Sequence, residues 1–278
     1  MRLLAGFIVV ISAFAASLTP EEIMARVAAN QDRAEVLRSR YVYRQTTAIR
    51  LRDTHGNLTR EEVSDFDLAP TPAGTERKLV HFTGKYRENN AMLPCETSGE
   101  PCGTGFRNEA DAHMAHNLRD GLTASKDGKD GLSPKLFPLT SREQSKYVFR
   151  LKGEETIKSI AVYRIGFLPK KGDDGPDTLW AGEALIDRND FEPVLVTTKL
   201  ANGIPLVVRT ALGTNFPGLG FSVSYAKLEP GVWFPVSYGT EFHFRVAFVY
   251  SRKVSVSLTN SGFKRTASDS SVSFDSVQ

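Results

Sequence analysis

LWAGEALIDRNDFEPVLVTTKL, residues Leu179–Leu200, decides the fold. Two apolar runs flank the polar cluster Asp187-Arg188-Asn189-Asp190. Asn and Asp tolerate left-handed backbone and bond their own main chain, so this cluster predicts a turn. Leu179, Ala181 and Leu185 lie near one phase of the first run, with Trp180, Ala184 and Ile186 near the other. The second run, Pro193-Val194-Leu195-Val196, is apolar on both phases. Such a strand suits cover on both faces better than one face in water. The stretch therefore reads as a β-hairpin in the middle of a large, curved antiparallel sheet.

The same pattern spreads outward. Tyr147–Leu151 and Ala161–Leu168 read as strands, joined through Gly153-Glu154-Glu155-Thr156. Lys170–Asp177 reads as a charged hairpin loop, and Asn202-Gly203 as a turn. Pro205–Ala211, Phe221–Leu228 and Trp233–Tyr238 are shorter strands. Glu241–Leu258 alternates most regularly: Phe242, Phe244, Val246, Phe248 and Tyr250 share one phase, with His243 and Arg245 on the other. Val254, Val256 and Leu258 carry the alternation on. Thr266–Gln278 is Ser-rich, and 261–278 reads as a flexible tail.

Toward the N-terminus, Thr19, Pro20 and Glu22 make a helix start with a capping box. Ile23, Val27, Ala34 and Leu37 recur at helical spacing, with Asn30 interrupting, which predicts an amphipathic helix of about five turns. Strands follow at Tyr41–Leu51 and Leu58–Leu68 around a turn at Thr54–Asn57, with a third at Arg77–Thr83. Lys85–Pro138 breaks the pattern. Its Phe106, Ala110, Met114, Leu118 and Leu122 fall at steps of four, a helix ending at Gly121. This segment reads as an insertion with helical content lying over the concave face of the sheet. The fold class is mainly β, or α+β: one domain over 18–260 with about ten strands and an amphipathic helix at the front.

Composition excludes several functions. A chain of 278 residues with 41% hydrophobic residues, 24% charged residues and a net charge of +3 has no basic face for nucleic acid. Arg2, an apolar run from Leu3 to Ile11 and Ala13-Phe14-Ala15 read as a signal peptide over 1–15. The apolar run is too short to span a bilayer, so the mature chain is expected to be exported and to keep no membrane span. Cys95 and Cys102 then read as a disulfide in an oxidising compartment; a two-thiol metal site is the alternative, but it lacks C-x-x-C spacing.

Catalytic signals are sparse. Glu109, His113, His116 and Asp120 could share one helix face and hold zinc for a hydrolase, although the spacing is not H-E-x-x-H. A polar outer face explains the same four residues. There is no Gly-x-Ser-x-Gly elbow and no glycine-rich phosphate loop, so no catalytic residue and no cofactor is expected. Trp180, Phe242, Phe244, Val246 and Phe248 are either core or the lining of an apolar cavity, because one helix cannot cover a ten-strand sheet.

Several motifs together resemble a known family. They are L-T-P-E-E-I at Leu18–Ile23, F-P-L at Phe137–Leu139, K-Y-x-F at Lys146–Phe149 and G-E-E-T at Gly153–Thr156. V-Y-R-I-x-F-x-P-K at Val162–Lys170, W-x-G-x-x-x-I-D at Trp180–Asp187 and F-x-P-V at Phe191–Val194 complete the set. The chain resembles the LolA/LolB-like outer-membrane lipoprotein-sorting superfamily over most of 18–260. That resemblance implies an unclosed antiparallel barrel, with helices plugging its apolar concave side, in the bacterial periplasm. It further implies a non-enzymatic carrier or sensor that buries the acyl chains of a lipid or acylated protein. The alternative from the residues is an envelope interaction module with a filled core, meeting a protein partner by a sheet edge or by the insertion.

Overall fold

A computed structural model of the protein describes residues 18–71, 74–98, 102–123, 139–170, 180–201, 214–215, 219–246 and 249–266. The signal segment, the Asn202-Gly203 turn, the Pro205–Ala211 strand and Phe248 lie outside the described residues.

Helix α1 runs over Pro20–Arg38. Its capping box is formed: Glu22 Oε2 accepts from the Thr19 amide at 2.8 Å, and Thr19 Oγ1 accepts from the Glu22 amide at 3.2 Å. Next come β1 (Tyr41–Arg52), β2 (Leu58–Thr71), β3 (Gly74–Glu88) and β4 (Ala91–Cys95). Helix α2 is Phe106–Thr123 and α3 is the single turn Ser141–Gln144. The remaining strands are β5 (Tyr147–Ile157), β6 (Ile160–Pro169), β7 (Trp180–Asp187), β8 (Pro193–Leu200), β9 (Thr214–Asn215), β10 (Phe221–Glu229), β11 (Val232–Val246) and β12 (Tyr250–Arg265).

The twelve strands among the described residues form one antiparallel sheet in the order β4-β3-β2-β1-β12-β11-β10-β8-β7-β6-β5, with β9 paired to β11 beside that path. β4 and β5 are not paired, so the barrel is unclosed, as the family resemblance implies. The count exceeds the expected ten. Part of the excess comes from Lys85–Pro138, whose first residues belong to the sheet: Gly84 pairs with Cys95 and Glu88 with Ala91. The turn between them uses Asn89 and Asn90 at φ 47° and 64°, a conformation Asn tolerates. β4 shows no alternating pattern because it is a short edge strand, mostly exposed. Likewise, Gly153–Thr156 lies inside β5, and the turn comes later at Lys158-Ser159, both with positive φ. The sheet also continues to Arg265, into the stretch read as tail.

Glu241–Leu258 is not one strand but the end of β11 and most of β12. Phe242 faces Val254, and Tyr238 faces Leu258. Antiparallel partners point to the same face, so the alternation passes through the hairpin without a break.

Both long helices lie on the same face of the sheet. Ile23, Met24 and Val27 of α1 join Phe149, Ile165, Phe167, Val196 and Val223 in the largest buried cluster. Ala115 of α2 joins Ile49, Leu51, Phe242, Val254 and Val256 in another. The described part of the Leu179–Leu200 hairpin, Trp180–Leu200, sits under α1. Asp187 Oδ1 accepts from the amides of Asn189 and Asp190 at 2.8 and 2.6 Å, the turn predicted from those residues. Ala184 and Ile186 are buried on one phase and Ala181 and Leu185 on the other, so the strand is covered on both faces.

Asn30 breaks the apolar spacing of α1 for a reason. Its Nδ2 donates to the carbonyls of Asp190 and Phe191 at 2.7 and 3.1 Å, pinning the turn to the helix. Asn30→Ala is expected to cost about 1–2 kcal/mol, because two carbonyls at this interface lose their donor. Urea unfolding followed by circular dichroism measures it, and a loss below a few tenths would show that water replaces the amide.

Candidate functional site

α2 and the β11–β12 hairpin enclose a cleft of about 410 Å³. From α2 come Phe106, Ala110, Met114 and Leu118, the step-of-four residues of the sequence, together with His113 and Asn117. From the sheet come Phe242, Phe244 and Tyr250, with Val249 beside the hairpin turn. The volume lies in the range of small-molecule sites, roughly 300–1,000 Å³. Phe106 and Val249 are 63% and 68% exposed, unusual for large apolar side chains unless something covers them intermittently.

Polar contacts add to the apolar packing of α2 on the sheet. Asp111 is 2% exposed, and its Oδ1 accepts from Arg252 Nε at 2.7 Å and from the Tyr250 hydroxyl at 2.5 Å. Burial, together with the Asp111 carboxylate, raises the pKa of the Tyr250 phenol. A second buried pair, Arg60 Nε to Glu62 Oε1 at 2.6 Å, lies on β2 at the same end of the inner face. Each of these two guanidiniums faces a carboxylate.

The disulfide ties α2 from the other side. Cys95 and Cys102 are bonded, and the loop they close contributes Ser98, whose hydroxyl accepts from Arg119 Nη1 of α2. Arg119 Nη2 also sits 2.7 Å from His116 Nδ1. A ring this small contributes about 2–3 kcal/mol, mostly by restricting the unfolded chain.

The candidate site residues separate. Phe242 and Phe244 line the cleft. Trp180 packs on Phe221 with ring centroids 4.6 Å apart, in the cluster under α1 rather than in the cleft. Val246 ends β11, and its side chain, like Phe248, lies outside the described residues. Among the zinc candidates, His113 lines the cleft while His116 faces Arg119. No group of three His, Cys, Asp or Glu close enough to hold a metal occurs among the described residues, which do not include the Asp120 side chain. The sequence reading passed over Phe106, Ala110, Met114 and Leu118 as lining, although their helical periodicity was legible. What it lacked was their distance to β11, which depends on Asp111 and Arg252 pairing across 141 residues.

No family model matches the chain, and no curated protein matches it. Solved structures with a similar path do exist. One is a Vibrio parahaemolyticus domain assigned to outer membrane lipoprotein sorting, at 10% identity and TM-score 0.41, covering 89% of this chain and 94% of that one. A DUF1329 family protein from Desulfovibrio piger gives 10% identity, TM-score 0.38 and coverage of 90% and 95%. A LolA superfamily protein from Nitrosomonas europaea gives 10% identity, TM-score 0.36 and coverage of 90% and 94%. At such identities and TM-scores these are likenesses of chain path, and they assign no ligand to the cleft. Among the described residues no helix is long and apolar enough to cross a membrane.

Proposed function

We propose that the protein is an exported, non-enzymatic carrier or sensor that buries an acyl chain, of a lipid or of an acylated protein, between α2 and the β11–β12 hairpin. One observation carries this reading. The cleft combines Met114, Leu118, Phe242 and Phe244 on its walls with exposed Phe106 and Val249 at its side. Each methylene moved there from water is worth about 0.8 kcal/mol, so a chain of moderate length supplies useful affinity without any charged contact. The disulfide suits an oxidising compartment, and with the signal segment it supports a periplasmic location.

Filling the cleft tests the reading. Ala110 lines it from α2, and Ala110→Trp is expected to abolish binding of a fluorescent fatty acid while costing no more than about 1–3 kcal/mol in unfolding free energy. Undiminished binding by a folded Ala110→Trp variant places the chain elsewhere. A clean apo mass for protein purified from its own periplasm without detergent, with the disulfide intact, removes the carrier reading.

A second reading, an interaction module for an envelope protein, is favoured by β5, which among the described residues pairs with β6 alone. There Val148 and Leu168 are direct cross-strand partners and stand 46% and 51% exposed. Such a paired apolar patch at an open edge suits an added strand.

A further inference from the structure

β5 stands at one end of the sheet, and among the described residues it pairs with β6 alone. Its two faces can be told apart. Tyr147 and Phe149 point inward, into the core cluster that holds Tyr163 of β6. Val148 and Arg150 alternate with them and are exposed on the outer face. The register shift between Leu151 and Gly153 then exchanges the phase. Lys152 stays outward, bonded to Glu183, and Glu155 lies on the same face, bonded to Arg164. One contact proves the shared face: Arg164 reaches Glu183 as well. Alternation from Glu155 puts Ile157 outward too.

Charge divides this outer row in two. Arg150 and Lys152 fill its first half and Glu155 stands in its second. Edge strands are commonly protected by charge, which repels a second copy when the charge is of one sign. Opposite signs on the two halves do the reverse. When two copies run antiparallel, the basic half of each meets the acidic half of the other. The register shift supplies the rest. With a twofold axis between Lys152 and Gly153, Arg150 meets Glu155 of the second copy, and Val148 meets its Ile157. In a strand without the shift, the same axis would set outer residues against inner ones. Arg150 makes no ion pair among the described residues, whereas Lys152 already has Glu183. Leu168, the cross-strand partner of Val148, is 51% exposed and widens the apolar part of the contact. At the axis, a Cβ on Gly153 would meet nothing within 4 Å, so the Lys152 stem of the second copy has room there.

We propose that β5 is the docking edge for a second copy of this chain, paired antiparallel about a twofold axis between Lys152 and Gly153. The contact is self-complementary, with two Arg150–Glu155 pairs at its centre and an apolar pair beyond each. Four strands, β6, β7, β8 and β10, separate β5 from β11 within the sheet, and the inference stands apart from the acyl-burial reading.

Sedimentation velocity of the purified chain over about 1–100 μM tests it. The wild type is expected to pass from monomer to dimer across that range. Arg150→Glu and Glu155→Arg each set like charges face to face twice in a dimer, and each alone should weaken dimerisation at least about tenfold. Mixed in equal amounts, the two variants should dimerise with each other about as well as the wild type does, because both facing pairs then join opposite charges again. Circular dichroism of each variant reports that it is folded. Monomer at every concentration overturns the inference and leaves the edge to another protein. A dimer that Arg150→Glu leaves intact, or a mixture that associates no more tightly than its two components, overturns it as well.

Discussion

Asp111→Ala is expected to destabilise the protein by about 3–5 kcal/mol, the usual cost of removing one partner from a buried ion pair. The reason is what stays behind. Arg252 is 7% exposed and loses its carboxylate at 2.7 Å, while the Tyr250 hydroxyl loses its acceptor. An uncompensated guanidinium under α2 draws water in, and α2 is what walls the cleft. Loss of ligand binding should therefore accompany loss of stability, and amide exchange over Phe106–Thr123 should rise before that of β1 and β12. Urea unfolding read by circular dichroism gives the first quantity and hydrogen exchange the second. The double variant Asp111→Leu with Arg252→Met should recover most of the stability, since well-packed apolar replacements of a buried pair are often neutral. A loss below about 1 kcal/mol in Asp111→Ala would show that α2 is held by its apolar contacts alone.

Raising the pH from 5 to 8 should cost the wild-type protein about 3 kcal/mol through one residue, Glu192, and Glu192→Gln should remove that loss. Glu192 follows the Asp187–Asp190 turn and is 4% exposed. Burial raises its pKa from 4.5 to about 7, against the opposing influence of Arg38 and a hydrogen bond from Gln31. The sign follows from linkage. A carboxyl whose folded value lies above its unfolded value contributes its full stability below pH 4.5 and loses it as the pH rises through 7. Gln keeps the acceptor for Gln31 and cannot ionise, so the variant should match the wild type at pH 5 and exceed it at pH 8. Urea midpoints at the two values decide this, and an unchanged difference between them would mean that Glu192 stays ionised in the folded protein. Glu61, Glu183 and Glu241 act in the opposite direction, since ion pairs hold their carboxyls below the ordinary value and their contribution is lost on acidification.

Legibility in the sequence followed the range of the interaction. The capping box of α1, the Asp187 turn, the turn at Thr54–Asn57 and the disulfide each depend on residues within seven positions of one another, and each appears as read, with Asp53 closing the Thr54–Asn57 turn. Alternation put Phe242 and Phe244 on one shared phase, because strand periodicity carries that information directly, and the structure turns that phase inward. It misled where an antiparallel turn preserves the phase, as between β11 and β12, and where an edge strand has no buried face to alternate against, as in β4.

Residue order by itself determined the class of the fold, the front helix, the apolar rows and the cysteine pair, because these follow from local propensity and period. Tertiary structure alone decided that Asn30 is a pin rather than an interruption, that Trp180 sits apart from the Phe242 cleft, and that Asp111 meets Arg252. Partners of that kind lie more than 100 residues apart or on strands joined only by register, and no periodicity in a chain encodes which distant polar atom will complete a hydrogen bond.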